Sequence, residues 1–270
     1  MFILGLLVGS FLNVVIYRLP VMMQREWRSD CLEFLEQPAQ EEQPPFNLVI
    51  PRSRCGHCGH QITALENIPL ISYLALGGKC SSCKTPISIQ YPLVELFTGL
   101  VSLAIAVHFG PTPQAFFALL FSWSLIAASG IDIGHKLLPD NITLPLLWAG
   151  ILLSFFDIFV TLEQSVIGAM AGYLSLWSVY MVFKLITGKE GMGYGDFKLL
   201  AALGAWMGWE MLLVIILTSS LVGAIVGISM ILLKRLTKGA QIPFGPYLSA
   251  ADWISLLYGE QLNRLYFSLF

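Results

Sequence analysis

The run Gly191-Met192-Gly193-Tyr194-Gly195-Asp196 sets a carboxylate behind a glycine-rich turn at the edge of an apolar stretch, and a second carboxylate, Asp132, closes another apolar stretch. A charge at membrane depth costs roughly 2.5–3.5 kcal/mol on insertion scales, so acids kept there are candidates for function. Two carboxylates close enough to share a proton can perform aspartyl proteolysis. One, ionised, activates water as general base, and the other, protonated, polarises the scissile carbonyl. Their titration then belongs to the pair rather than to either residue. Gly193, Tyr194 and Gly195 form the supporting motif, because glycine takes backbone conformations closed to other residues and lets another chain approach closely. The competing reading is helix capping, which fits Asp140 best, after Pro139 and ahead of an apolar run. Asp196 alone fits either reading. Asp132 ends a helix, where the macrodipole disfavours it, and so needs another reason to be there.

A second constellation is Cys55-Gly56-His57-Cys58-Gly59 with Cys80-Ser81-Ser82-Cys83. Two Cys-x-x-Cys knuckles at this separation can bring four thiolates to one tetrahedral zinc ion, with glycines helping the backbone turn toward the sulfurs. Four protein sulfurs leave no open coordination position, so Cys55, Cys58, Cys80 and Cys83 predict a structural zinc site. Redox-active pairs are the alternative. His57 and His60 are read as bystanders and Cys31 as a small apolar residue.

The elements that must position these groups are membrane helices. The chain has 270 residues, 56% of them hydrophobic and 12% charged, a composition wrong for a soluble domain of this size. Stretches near the 20 residues needed to cross the hydrocarbon predict about eight transmembrane helices, near 1–17, 91–109, 114–131, 141–160, 165–187, 196–209, 210–233 and 244–258. The first, sixth and eighth are short. With the N-terminus outside, eight alternating spans place fourteen of the 15 Lys and Arg residues on one face, all but Arg264. Cations collect in cytoplasmic loops, so that face is read as cytoplasmic. The opening apolar run lacks a basic leader and is read as a permanent span rather than a signal peptide.

The fold class expected is therefore an all-α polytopic membrane protein with a small zinc-stapled cytoplasmic domain between its first two spans. Its parts are the first transmembrane helix over 1–17, the cytoplasmic domain over 18–90 and a transmembrane aspartyl peptidase domain over 91–270. The acids Glu26, Asp30, Glu33, Glu36, Glu41 and Glu42, with Pro38, Pro44 and Pro45, read as a solvated surface helix and a linker. Asn13 is expected to bond to a neighbouring helix, Glu95 to pair with a loop cation, and Pro243 and Pro246 to start the last helix. His108 and His135 carry no assigned chemistry. The bilayer is the expected surround, and no nucleic-acid partner is expected.

At these residues the chain resembles the type IV prepilin peptidases, a family of GxGD-type intramembrane aspartyl proteases. The resemblance runs through Gly9-Ser10-Phe11-Leu12-Asn13, Arg18-Leu19-Pro20, the cysteine knuckles, Glu66-Asn67-Ile68-Pro69, Tyr91-Pro92-Leu93-Val94-Glu95, Leu137-Leu138-Pro139-Asp140, the glycine-aspartate run and Pro243-Phe244-Gly245-Pro246-Tyr247. It implies a bifunctional enzyme of the Gram-negative inner membrane. Such an enzyme removes the basic leader of type IV prepilins and pseudopilins, then N-methylates the new N-terminus with S-adenosylmethionine. The family's paired aspartates map onto Asp132 and Asp196. No Rossmann-type glycine fingerprint marks a cofactor site, and none is assigned. A proton-coupled transporter and a zinc-bearing membrane scaffold are the alternatives; the first would place its acids near mid-bilayer, and the second leaves Asp132 unexplained.

Overall fold

The computed structural model describes residues 1–37, 44–233 and 242–267, and among them every regular element is helical. The chain divides into two compact units, Met1–Gly110 and Pro111–Phe270.

In the first unit, α1 (Phe2–Phe34) packs against α3 (Gln90–Phe109), with the short α2 (Ile71–Ala75) in the polar segment between them. The seam is made of small residues. A side chain at Gly5 would collide with Ser102 and Gly99, and one at Gly9 with the backbone of Glu95. Such a Gly-x-x-x-Gly face lets two helices approach where lipid supplies no hydrophobic drive between them. Asn13 donates to the Tyr91 carbonyl at 3.0 Å, the interhelical bond expected of it.

Helix α1 does not stop at residue 17. It continues unbroken through Pro20 to Phe34, because the polar residues beyond the span, among them Gln24, Arg25, Glu26 and Arg28, are good helix formers. Buried Arg18 then reaches back to the polar segment, donating to the carbonyls of Asn47 at 2.8 Å and Pro51 at 2.6 Å. The Arg25 guanidinium sits over the Phe46 ring, 4.6 Å from its centre. Pro38, Glu41 and Glu42, part of the expected linker, lie outside the described residues.

The second unit holds α4 (Pro113–His135), α5 (Asp140–Ser154), α6 (Leu162–Thr187), α7 (Tyr194–Met207), α8 (Trp209–Leu232) and α9 (Gly245–Phe267), the last kinked at Tyr258. Each of the eight anticipated spans coincides with a helix. Five, α1, α3, α4, α6 and α8, are long and apolar enough to cross a membrane on those grounds alone. The chain is a multi-pass membrane protein. Lys234, Arg235 and Lys238, counted above in the charge asymmetry, lie outside the described residues.

Helix α7 is short for a structural reason. Nine of its 14 residues are buried, from Phe197 through Trp206, so it runs among α5, α6, α8 and α9 rather than against lipid. Gly168 of α6 and Gly204 of α7 bring the two backbones together, and a β-carbon on either would run into the carbonyl of the other. Trp206 donates to the Leu146 carbonyl of α5 at 2.8 Å, and Ser165 of α6 to the Ala205 carbonyl at 2.7 Å. These bonds clamp the helix that begins with the glycine-aspartate run.

Candidate active site

Asp132 lies in the last turn of α4. The helix closes at Lys136, whose backbone is left-handed at φ 53° and whose N–H bonds the Asp132 carbonyl at 2.8 Å. The Asp132 side chain is 5% exposed and accepts one hydrogen bond, from the Gly245 N–H at 3.0 Å. Gly245 is the first residue of α9, so an orphan donor of that helix end meets the carboxylate. A β-carbon on Gly245 would stand 2.8 Å from Asp132 Oδ2, which explains glycine there.

Asp196 lies in the first turn of α7, partly buried, beside the Gly193 amide. Leu138 links the two sides of the site. Its side chain packs on Gly245, and a β-carbon on Gly195 would come 2.8 Å from Leu138 Cβ. The glycine run does not rely on left-handed backbone. Gly193 is extended, Gly195 is helical, and what the glycine at 195 supplies is close approach to Leu138.

Asp140 and Asp196 lie in the first turns of α5 and α7, where the macrodipole favours them, although neither helix has a side-chain cap. Asp140 also forms an ion pair with Lys198 Nζ, 2.7 Å from each carboxylate oxygen. That pair ties the start of α5 to the turn after Asp196. His135 is exposed and takes no part.

The four cysteine sulfurs of the first unit all lie within 4.8 Å of one another, Cys55 to Cys83 at 3.8 Å and Cys58 to Cys80 at 4.0 Å. Zinc–sulfur bonds of about 2.3 Å in a tetrahedron place sulfurs about 3.8 Å apart, so the quartet has the dimensions of a zinc site. The knuckles are built alike. Gly59 N–H bonds Cys55 O, and Lys84 N–H bonds Cys80 O, each at 3.0 Å, and both donors are left-handed, at φ 72° and 61°. Backbone amides of Cys58 and His57 lower the Cys55 thiol, and the Thr85 hydroxyl and amide hold Cys83 down at about 5, which favours thiolates there, whereas burial and the neighbouring cysteines push Cys58 up to about 11.

His60 is not a fifth ligand. Its Nε2 lies 3.2 Å from Glu66 Oε1 and 3.2 Å from Ser81 Oγ, so it bridges the Glu66 turn to the second knuckle. Among the described residues Glu95 pairs with no loop cation. It accepts the backbone N–H of Leu70 at 2.9 Å, which holds that residue's positive φ in place.

Comparison with known proteins matches the bacterial peptidase A24 N-terminal domain to residues 3–109 and the type IV leader peptidase family to residues 119–228. A protein named prepilin leader peptidase/N-methyltransferase from Stutzerimonas stutzeri is 59% identical over 264 residues, covering 98% of this chain and 91% of its own. The chain belongs to the type IV leader peptidase family. Proteins of the same name from Pseudomonas aeruginosa and Aeromonas hydrophila are 58% and 55% identical, spanning 98% and 100% of this chain and 91% and 93% of their own. No solved structure matches the chain. The type IV leader peptidase segment contains Asp132, Leu138, Gly195 and Asp196, whereas Gly245 lies beyond it. The N-terminal match contains all four clustered cysteines and lies within the first compact unit.

Proposed function

We propose that the chain is an intramembrane aspartyl endopeptidase that removes the leader of type IV prepilins and pseudopilins and then N-methylates the new N-terminus. The names of its relatives support both activities. The observation that carries the catalytic assignment is the shared packing of the two acids' surroundings: Asp132 accepts the Gly245 N–H, and Leu138 packs against both Gly245 and Gly195, the residue before Asp196. The ionised member takes a proton from water as the water oxygen attacks the scissile carbonyl carbon, and the protonated member hydrogen-bonds the carbonyl oxygen. As the C–N bond breaks, the amine leaves with a proton and the leader keeps a carboxylate.

The Gly245 N–H holds Asp132 at its buried position, and Leu138 keeps α7 at the distance that lets Asp196 reach it. Cys55, Cys58, Cys80 and Cys83 hold a structural zinc. S-adenosylmethionine supplies the methyl group. No strand occurs among the described residues, so they form no Rossmann-type cradle for that donor. The enzyme resides in the bacterial inner membrane, with the active site and polar segment on the cytoplasmic side, where a basic leader ahead of an apolar helix presents its cleavage point. A transporter is not favoured, because the paired acids stand at helix ends.

The test is cleavage of a prepilin-like substrate in membranes by the wild type, Asp132→Asn and Asp196→Asn, with zinc content and insertion measured in all three. Loss of cleavage in both variants, with zinc and insertion kept, is the expected result. Near wild-type cleavage by either variant overturns the assignment.

A further inference from the structure

Asp252 is 0% exposed, and neither of its carboxylate oxygens has a hydrogen-bond partner among the described residues. Three more buried polar atoms share that condition: Ser122 Oγ, Ser249 Oγ and Trp253 Nε1. All of these atoms sit on two helices, α4 and α9, which pack against each other. Stranded polar groups cost a few kcal/mol each in a core, so their confinement to two packed helices points to a polar occupant.

Helix geometry places the cluster relative to the active site. Asp132 at the end of α4 meets Gly245 at the start of α9, and since the two helices pack, they run antiparallel from that point. At 1.5 Å per residue, Ser249 lies about 6 Å below Gly245, Asp252 about 10 Å, and Ser122 about 15 Å below Asp132. Residues 245, 249 and 252 follow the four- and three-residue steps of one helical face. The polar groups therefore descend from the Asp132 carboxylate into the unit.

The surroundings exclude a protein counter-ion. Tyr247 touches Gly223 and Met211 touches Gly259, so α8 passes Asp252 near residue 218, where buried Ser219 already donates to the Ile216 carbonyl. On α7, Lys198 is committed to Asp140. Apart from Lys198, α4, α7 and α8 carry no Lys, Arg or His between their ends, and α9 carries none from Gly245 to Gly259. Hydroxyls, an indole N–H and a carboxyl that find no mate in the chain match buried water, which makes about three hydrogen bonds to such groups. Peptide hydrolysis consumes one water per turnover, and Asp132 itself is 5% exposed.

We propose that Asp252, Ser249 and Ser122 hold a file of ordered water along the α4–α9 contact that supplies the hydrolytic step at Asp132. The supply role rests on the peptidase reading above, and the water file itself does not. Asp252 is a positioning residue, acting on the reaction through water.

The test joins X-ray hydroxyl-radical footprinting of the full-length enzyme in membranes, without substrate, to cleavage kinetics. Radicals born from internal water label adjacent side chains, so Trp253 reports the file, and Trp206, whose N–H is satisfied by Leu146, is the dry control. In Asp252→Leu, Trp253 labelling is expected to fall at least threefold with Trp206 unchanged, and kcat to fall about tenfold with KM unaltered. Asp252→Asn, which keeps the hydrogen-bonding groups, is expected to recover at least half of both. Wild-type Trp253 labelling or wild-type kcat in Asp252→Leu overturns the proposal. Should that variant fail to insert, Ser122→Val takes its place with the same expected and overturning results. If Asp132→Asn still cleaves, the peptidase reading fails while the footprint still decides the water file; if Asp132→Asn is dead and Asp252→Leu cleaves fully, only the present inference fails.

Discussion

Leu138 is buried and touches the glycines that flank both carboxylates, so the spacing of the site depends on a residue with no chemistry of its own. Replacing Gly195 with alanine pushes a methyl group to 2.8 Å from Leu138 Cβ and must shift the first turn of α7. A displacement near 1 Å at a reacting group can lower a rate by about a hundredfold. Gly195→Ala is therefore expected to lose at least about tenfold in cleavage while inserting normally, and wild-type turnover in this variant would discard Leu138 as the spacer. The Lys198–Asp140 pair behaves differently, because its side chains are 30% and 49% exposed and water screens them. Lys198→Met should change stability by less than about 1 kcal/mol, as read from thermal unfolding in detergent.

The element that most depends on backbone conformation is the first zinc knuckle. Gly59 at φ 72° tolerates no side chain without strain of about 1–2 kcal/mol, so Gly59→Ala should shift zinc competition against a chelator by about tenfold. Glu66 adds a pH signature to the same module. Beside the Ser81 hydroxyl and the Thr63 amide and hydroxyl, its carboxyl is held down at about 2 from an ordinary 4.5. A depressed acid contributes stability above its ordinary value and loses it as pH falls toward the depressed one. Chelator-driven zinc release should thus be faster in Glu66→Gln than in wild type at pH 7, with the gap narrowing below about pH 4.5. A gap that stays constant with pH would remove the carboxylate from the module's stability. Among the membrane helices, α7 offers the matching test: Gly204→Leu sets a large side chain against the Gly168 carbonyl and should abolish both stable insertion and cleavage.

At the scale of the whole molecule, each of the two family matches lies within one compact unit, and the site carboxylates and clustered cysteines fall in different units. The proposed orientation has a direct check at Cys31, an exposed residue on α1 beyond the apolar part of that helix. A membrane-impermeant thiol reagent should leave Cys31 unlabelled in spheroplasts and label it in inverted inner-membrane vesicles. The reverse pattern would place the polar segment outside and overturn the cytoplasmic assignment.

The sequence by itself was enough for whatever depends on local chemistry. Apolar runs of spanning length, two Cys-x-x-Cys knuckles and acids placed where charge is expensive are legible because each carries its energetic reason within a few residues. Asp252 shows the limit of that reading. It is an acid inside the apolar run 244–258, as conspicuous by cost as Asp132, yet only packing reveals that no side chain answers it. A surface helix was expected over the acids from Glu26, but its continuity with the first span was hidden, because hydropathy marks where lipid ends and not where a helix does. Tertiary structure alone decided that Asp132 meets an amide 113 positions away, that Glu95 serves Leu70, and that Gly195 is needed for closeness rather than for unusual backbone angles. The physical reason is that cost is a property of one residue in its surroundings, whereas compensation is a contact, and contacts between distant positions exist only once the helices have packed.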